Sequence, residues 1–111
     1  MRRILCIIWG AVRAKQNRFS RAEAEKHIRK KHARAPAEVA ELLADRISSR
    51  QWREAITIGR AFAFVAQAHV RHQMTDYDRL LRIPGITREE AQLIVNAEVQ
   101  AVIASWATLK A

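Results

Sequence analysis

Cysteine is almost missing from this chain. Cys6 is the only one in 111 residues, so no disulfide can form within it. It stands in the run Ile4-Leu5-Cys6-Ile7-Ile8-Trp9. There it reads as a small buried hydrophobe, because a reactive thiolate needs a neighbouring base and the run offers none. A chain without disulfides is at home in a reducing compartment, and a cytoplasmic location is expected. Glycine (three) and proline (two) are also scarce, which leaves few places for turns. Long apolar runs are absent: residues 4–12 reach about half of the ~20 residues that span a bilayer. Met1-Arg2-Arg3 and that run resemble a signal peptide. However, Arg13, Lys15, Arg18 and Arg21 follow at once, and no small-residue cleavage site is evident. The segment therefore reads as a helix packed into the core, with a membrane-surface anchor as the minor alternative. There is no Walker loop, dinucleotide fingerprint, Ser-His-Asp order or Cys-x-x-Cys, so no enzyme and no cofactor are expected.

What the chain does have is apolar and helix-forming. Half of the residues are hydrophobic, which excludes global disorder. Alanine, leucine, glutamate and arginine dominate, and the alternation of a half-buried strand is nearly absent. The expectation is one all-α domain over residues 1–111: a compact bundle of five to six helices around one central apolar helix.

The charge is unevenly placed. Residues 1–34 carry eleven Lys or Arg against Glu23 and Glu25, whereas residues 35–111 carry equal numbers of each sign. The net charge of +9 thus resides in the N-terminal third, the rest being neutral. Such a segment attracts polyanions, and cations facing phosphates release condensed counterions on binding. A solvated face that keeps the protein soluble is the alternative use of the same charges.

Local signals divide the chain. Residues 2–16 read as a first helix, with a strand over 4–8 as the alternative. Ser20 and Glu23 form a capping box that opens a helix over about 21–33, whose thin apolar face is Ala24 and Ile28. Pro36 suits the first turn of a third helix, with Val39, Leu42, Leu43 and Ile47 as its core stripe. A fourth, over about 52–73, is apolar nearly all round from Ala55 to Val70 and reads as the central helix, Gly59 permitting a close crossing. Thr75, with Asp78 three residues on, reads as the cap of a short helix ending at Leu81. Thr87 and Glu90 cap the last helix, whose core stripe reads as Ala91, Ile94, Val95, Val99, Val102, Ile103, Trp106 and Leu109.

Two segments could carry chemistry. Leu80-Leu81-Arg82-Ile83-Pro84-Gly85-Ile86-Thr87-Arg88 resembles the helix-hairpin-helix motif of DNA-binding proteins, in which turn amides and a helix N-terminus meet a phosphate. Gly85, Ile86 and Ala91 fit it. Thr87 replaces the usual second glycine, and Glu89 and Glu90 compete with phosphate for the same amides. A plain capped connection between helices is the other reading. In the second segment, His69 and His72 share a helix face, and Asp76 or Asp78 could complete a metal set. The competing reading is structural: an imidazole bonded to a neighbouring helix, Tyr77 packed and Asp76 solvated. No metal site is expected.

The second segment also carries a family resemblance. His27-Ile28-Arg29-Lys30-Lys31-His32, Ala35-Pro36, Ala68-His69-Val70-Arg71-His72 and Thr75-Asp76-Tyr77-Asp78-Arg79-Leu80-Leu81 resemble a family of uncharacterised domains of bacteria, phages and fungi. An alanine-rich helix ending in His-x-x-His, then Thr-x-Tyr-Asp and a leucine pair, is its signature. The likeness covers residues 27–106. It implies a compact helical domain and no particular activity. Ile83-Pro84-Gly85 departs from the pattern.

The function expected is binding of nucleic acid, DNA before RNA, with weak sequence preference. The expected contacts are Arg18, Arg21, Lys26, Arg29, Lys30, Lys31 and Arg34, with Gly85, Thr87 and Arg88 at the turn. The alternative is a protein-interaction module or small inhibitor whose basic helix meets an acidic partner. Trp9 and the first helix either close the core or form a homodimer contact.

Overall fold

Ser20 starts the first helix as its sequence requires. Its hydroxyl accepts the Glu23 amide at 3.0 Å, and the Glu23 carboxylate accepts the Ser20 amide at 3.1 Å. The computed structural model describes residues 15–108. Five helices stand among them: α1 (Arg21–Lys31), α2 (Ala37–Ser48), α3 (Ile58–Met74), α4 (Tyr77–Leu81) and α5 (Arg88–Ser105). The fold is all-α, as expected. The readings at residues 2–14, at Cys6 and Trp9 lie outside the described residues.

α3 is the centre. It packs against each of the other four helices, most extensively against α5, while α1 lies chiefly on α2. Leu43, Ile47, Phe62, Val70, Val95 and Val99 are the largest wholly enclosed side chains. The sequence places all six on core stripes. α3 is not surrounded, however: Phe64 is 58% exposed. Gly59 stands one residue inside the start of α3, where an added Cβ would meet only His27 at an ordinary 3.9 Å. No close helix crossing depends on it.

Three boundaries differ from the sequence reading. The expected start of the central helix near Trp52 moves to Ile58, because Thr57 caps it by accepting the Arg60 amide at 3.2 Å. Residues 52–57 instead run beside the chain that precedes α1. Trp52 donates its amide to the Asn17 carbonyl, and Gln16 and Ile56 exchange two backbone hydrogen bonds. Residues 15 and 16 are therefore extended, not the end of a first helix. Phe19 and Trp52 are buried by this pairing. Thr75 is the third difference: it ends α3 instead of opening α4. Its hydroxyl donates to the Arg71 carbonyl at 2.6 Å and accepts the Tyr77 amide at 3.2 Å. Asp78 is drawn to His72 and takes no part in a cap.

The end of α5 closes back onto α1. Arg34 donates its amide to the Trp106 carbonyl, Thr108 to the Lys31 carbonyl, and the Thr108 hydroxyl accepts the Ala33 amide. Trp106 is buried at this junction. The last turn of α1, where the basic residues cluster, is thus held from two sides.

Candidate nucleic-acid interface

α1 buries Ala24 and Ile28, and this one stripe fixes where every cation of the helix points. Lys26 and Lys30 fall on the opposite face, toward solvent. Arg29 and Lys31 fall on the two flanks. Arg29 borders a groove of about 490 Å³ between α1 and α2, together with Glu25, His32 and Glu41. Lys31 borders another of about 400 Å³, with His27, His32, Phe62, Gln67 and Gln100. The basic segment is therefore fanned around the helix.

The cations also differ in their partners. Arg21 is engaged: its guanidinium lies 3.1 Å from Asp45 on α2 and 3.5 Å from Glu25, and it donates to the Glu41 carbonyl. It ties α1 to α2. The side chains of Arg18, Lys26, Arg29, Lys30, Lys31 and Arg34 make no ion pair with the described residues. Lys26 and Lys30 have only solvent for company.

Two histidines sit among these cations. His32 stacks on Phe62, and His27 lies 5.5 Å from His32, centroid to centroid. Burial, and then the charge of Lys31, hold His32 below the ordinary imidazole range. It is a packed neutral ring, so it adds no charge to the surface near neutrality.

The turn at Gly85 is built as a connection. Gly85 has φ +91°, the left-handed conformation that glycine adopts without strain. Beyond it the start of α5 is a closed capping box: the Thr87 hydroxyl accepts the Glu90 amide, and the Glu90 carboxylate accepts the Thr87 amide. Those bonds hold the Glu90 carboxyl below its ordinary range. An ionised carboxylate thus occupies the Thr87 amide, and the Thr87 hydroxyl the Glu90 amide, two of those that a phosphate would need. Arg88 is exposed beside it and unpaired among the described residues.

The four candidate ligands at the α3–α4 corner do not converge. His69 faces the core and is buried, and there burial, then the charge of Arg46, lowers its pKa. His72 is exposed and pairs with Asp78 at 2.6 Å, while its ring meets Tyr77 edge-on at 5.1 Å. Asp76 turns to Arg79. No group of three His, Cys, Asp or Glu suited to a metal exists among the described residues. The signature residues at this corner instead fold it: Thr75 bridges the helices, Tyr77 packs, and His72 with Asp78 clasps the outside.

The model of an uncharacterized conserved protein family, DUF2293, matches residues 27–107. The chain belongs to the DUF2293 family. The match takes in the last turns of α1, all of α2 to α5 and the α3–α4 corner. The chain before His27, including the capping box of α1, lies outside it. No curated protein and no solved structure matches this DUF2293 chain. None of its described helices is long and apolar enough to cross a membrane.

One cluster escaped the sequence reading. In the α2–α3 connection, the Arg50 guanidinium lies 4.1 Å from the centre of the Trp52 ring and 5.4 Å from that of Phe64. Arg50, Arg53 and Arg60 are spread over a region that is neutral overall. Charge counting along the chain therefore passed over them.

Proposed function

We propose that this DUF2293 member is a cytoplasmic nucleic-acid-binding protein rather than an enzyme, with DNA as the expected polymer. The surface is α1 and its flanks: Arg18, Lys26, Arg29, Lys30, Lys31 and Arg34. One observation carries the reading. These cations have no carboxylate partner among the described residues, whereas Arg21 in the same helix has two. Unpaired cations are available to phosphates and release counterions when they meet them. Contacts of this kind fix position without reading bases, so sequence preference is weak. Arg21 is left out of the surface because Asp45 and Glu25 hold it. Gly85, Thr87 and Arg88 contribute chiefly the Arg88 charge, since the capping box already uses the Thr87 and Glu90 amides.

The test is binding of labelled DNA and RNA across a salt series, with Arg29→Glu, Lys30→Glu and Lys31→Glu combined. Affinity should fall steeply with salt, and the triple variant should lose binding at every salt concentration. Affinity that is flat in salt refutes the proposal.

A second reading rests on α5. Leu93 is 76% exposed and Ile94 58%, with Leu81 and Ile83 partly exposed on the preceding segment. Large exposed apolar side chains, where they form one patch, mark protein interfaces. An adaptor or inhibitor that sets this face and α1 against an acidic partner protein fits them. Stable capture of one protein, with no retention on DNA at low salt, would select it.

A further inference from the structure

The geometry points to a second nucleic-acid contact, built for an unpaired base: the groove where Phe64 stands exposed beside Trp52 and three arginines. The groove has a volume of about 670 Å³ and is bordered by the α2–α3 connection and the first turns of α3. That volume is ample for one nucleotide, since small-ligand sites run from roughly 300 to 1,000 Å³.

The arrangement is specific. Trp52 is only 6% exposed and makes a perpendicular ring contact with Phe64, with ring centres 5.6 Å apart and planes at 90°. Trp52 and Arg50, the latter 5.4 Å from the centre of the Phe64 ring, thus flank Phe64 on one side, while the residue stays 58% exposed. Arg50 lies over Trp52 as a cation–π partner, so its charge is placed at the rim without a carboxylate. Arg60 is one helical turn before Phe64, and Arg53 is on the facing connection. Neither makes an ion pair among the described residues. Among the described residues, Glu54 is the only acidic one bordering the groove. Three guanidiniums around an aromatic side chain that is more than half exposed match a base flanked by phosphates. Every base offers a π face, so such a site tolerates any sequence. A duplex keeps its bases stacked inside and cannot present one to Phe64. The site therefore selects single strands.

The groove also continues toward α1. Ala63 and Gln67 border both this groove and the one lined by Lys31. A strand seated on Phe64 can run across α3 to the basic flank of α1. This inference rests on the reading of α1 as a phosphate-binding surface and adds the polymer's strandedness to it.

The experiment is fluorescence anisotropy at low salt with three probes: an oligothymidylate, the same oligomer with abasic sites, and a duplex of equal length. The proteins are the wild type, Phe64→Ala, Phe64→Trp, the pair Arg53→Ala and Arg60→Ala, and the α1 triple variant. Phe64→Ala should weaken oligothymidylate binding about tenfold, the scale of one base–aromatic stack, and leave the duplex unchanged. Phe64→Trp should retain affinity. Abasic sites should weaken the wild type by a similar factor and have no further effect on Phe64→Ala, which is the coupling a direct stack requires. The arginine pair should weaken both single-stranded probes. Equal binding of the two single-stranded probes by the wild type overturns the inference, as does an oligothymidylate affinity unchanged in Phe64→Ala. If duplex binding persists and needs α1 in either case, the α1 reading survives alone. Failure of the wild type to bind any probe overturns both. Phe64 is largely outside the core, and an unchanged helical circular-dichroism spectrum confirms that the variant folds.

Discussion

His32 lies face to face on Phe62, their ring centres 3.9 Å apart and their planes 14° from parallel. The stack joins the end of α1 to the central helix. It is made with an imidazole that burial holds neutral, and His69 in the core is held neutral in the same way.

A pH dependence follows from this pair. In the folded state both pKa values are lowered from 6.5, so below that value the unfolded chain binds more protons. Their contribution is complete above about pH 6.5 and is lost progressively as the pH falls beneath it. The urea midpoint should therefore be lower at about pH 5.5 than at about pH 7.5. His32→Phe keeps a ring on Phe62 without a titrating group, and should reduce that difference. An equal difference in the variant would assign the effect to other groups.

Phe62 and Phe64 make a matched pair for separating fold from binding. Phe62 is buried and Phe64 exposed, two positions apart on α3. Phe62→Ala should cost about 3–5 kcal/mol, the range for a large aromatic removed from a core. Phe64→Ala should stay within about 0.5 kcal/mol of the wild type. Chemical denaturation of both measures this directly. A large loss at Phe64 would mean that its face is packed.

The capping boxes predict smaller effects. Ser20→Ala and Thr87→Ala should each cost about 1 kcal/mol, because each leaves a helix-start amide without its acceptor. Glu23 is held below its ordinary range chiefly by the Ser20 amide. Its share of stability is therefore present above about pH 4.5 and lost as the pH falls through its lowered value. In Ser20→Ala the folded protein should exchange the Glu23 amide faster, as read by hydrogen exchange.

The α3–α4 corner predicts a contrast between two of its bonds. The His72–Asp78 pair is about half exposed on both sides, so Asp78→Asn should cost no more than about 1 kcal/mol. Thr75 is part-buried and serves both helices, so Thr75→Val should cost more, about 1–3 kcal/mol, by leaving the Tyr77 amide and the Arg71 carbonyl each short of a partner. Added zinc should not raise the melting temperature, because His69 and His72 face different environments. A metal-dependent rise would contradict the structural role of the corner.

The sequence by itself determined the helices with strong local signals. Ser20 with Glu23 and Thr87 with Glu90 are read from four residues each, since a cap is a bond between near neighbours. Most of the core stripes of α2 and α5 followed from spacing, because helical period maps onto one face; Ile94, at the edge of the α5 stripe, is instead 58% exposed. The segregation of charge also needed nothing but counting. The tertiary structure decided what depends on distant partners. Residues 52–57 had helical composition, yet the pairing of Trp52 and Ile56 with residues 16–17 kept them out of a helix, and Trp52 is in the core. Thr75 reads as the cap of the short helix, but its hydroxyl also donates to the α3 carbonyl at Arg71, and it ends α3. Arg21 looked like its neighbours until Asp45 arrived from α2. Phe64 read as core because it stands in an apolar helix, but no described helix covers it and it is largely exposed. Its nearest companions, Arg50 and Trp52, are twelve or more positions away. Spacing along one helix reports only which residues share a face. Which face meets water, and which cations meet carboxylates, is set by contacts that close only when the chain folds.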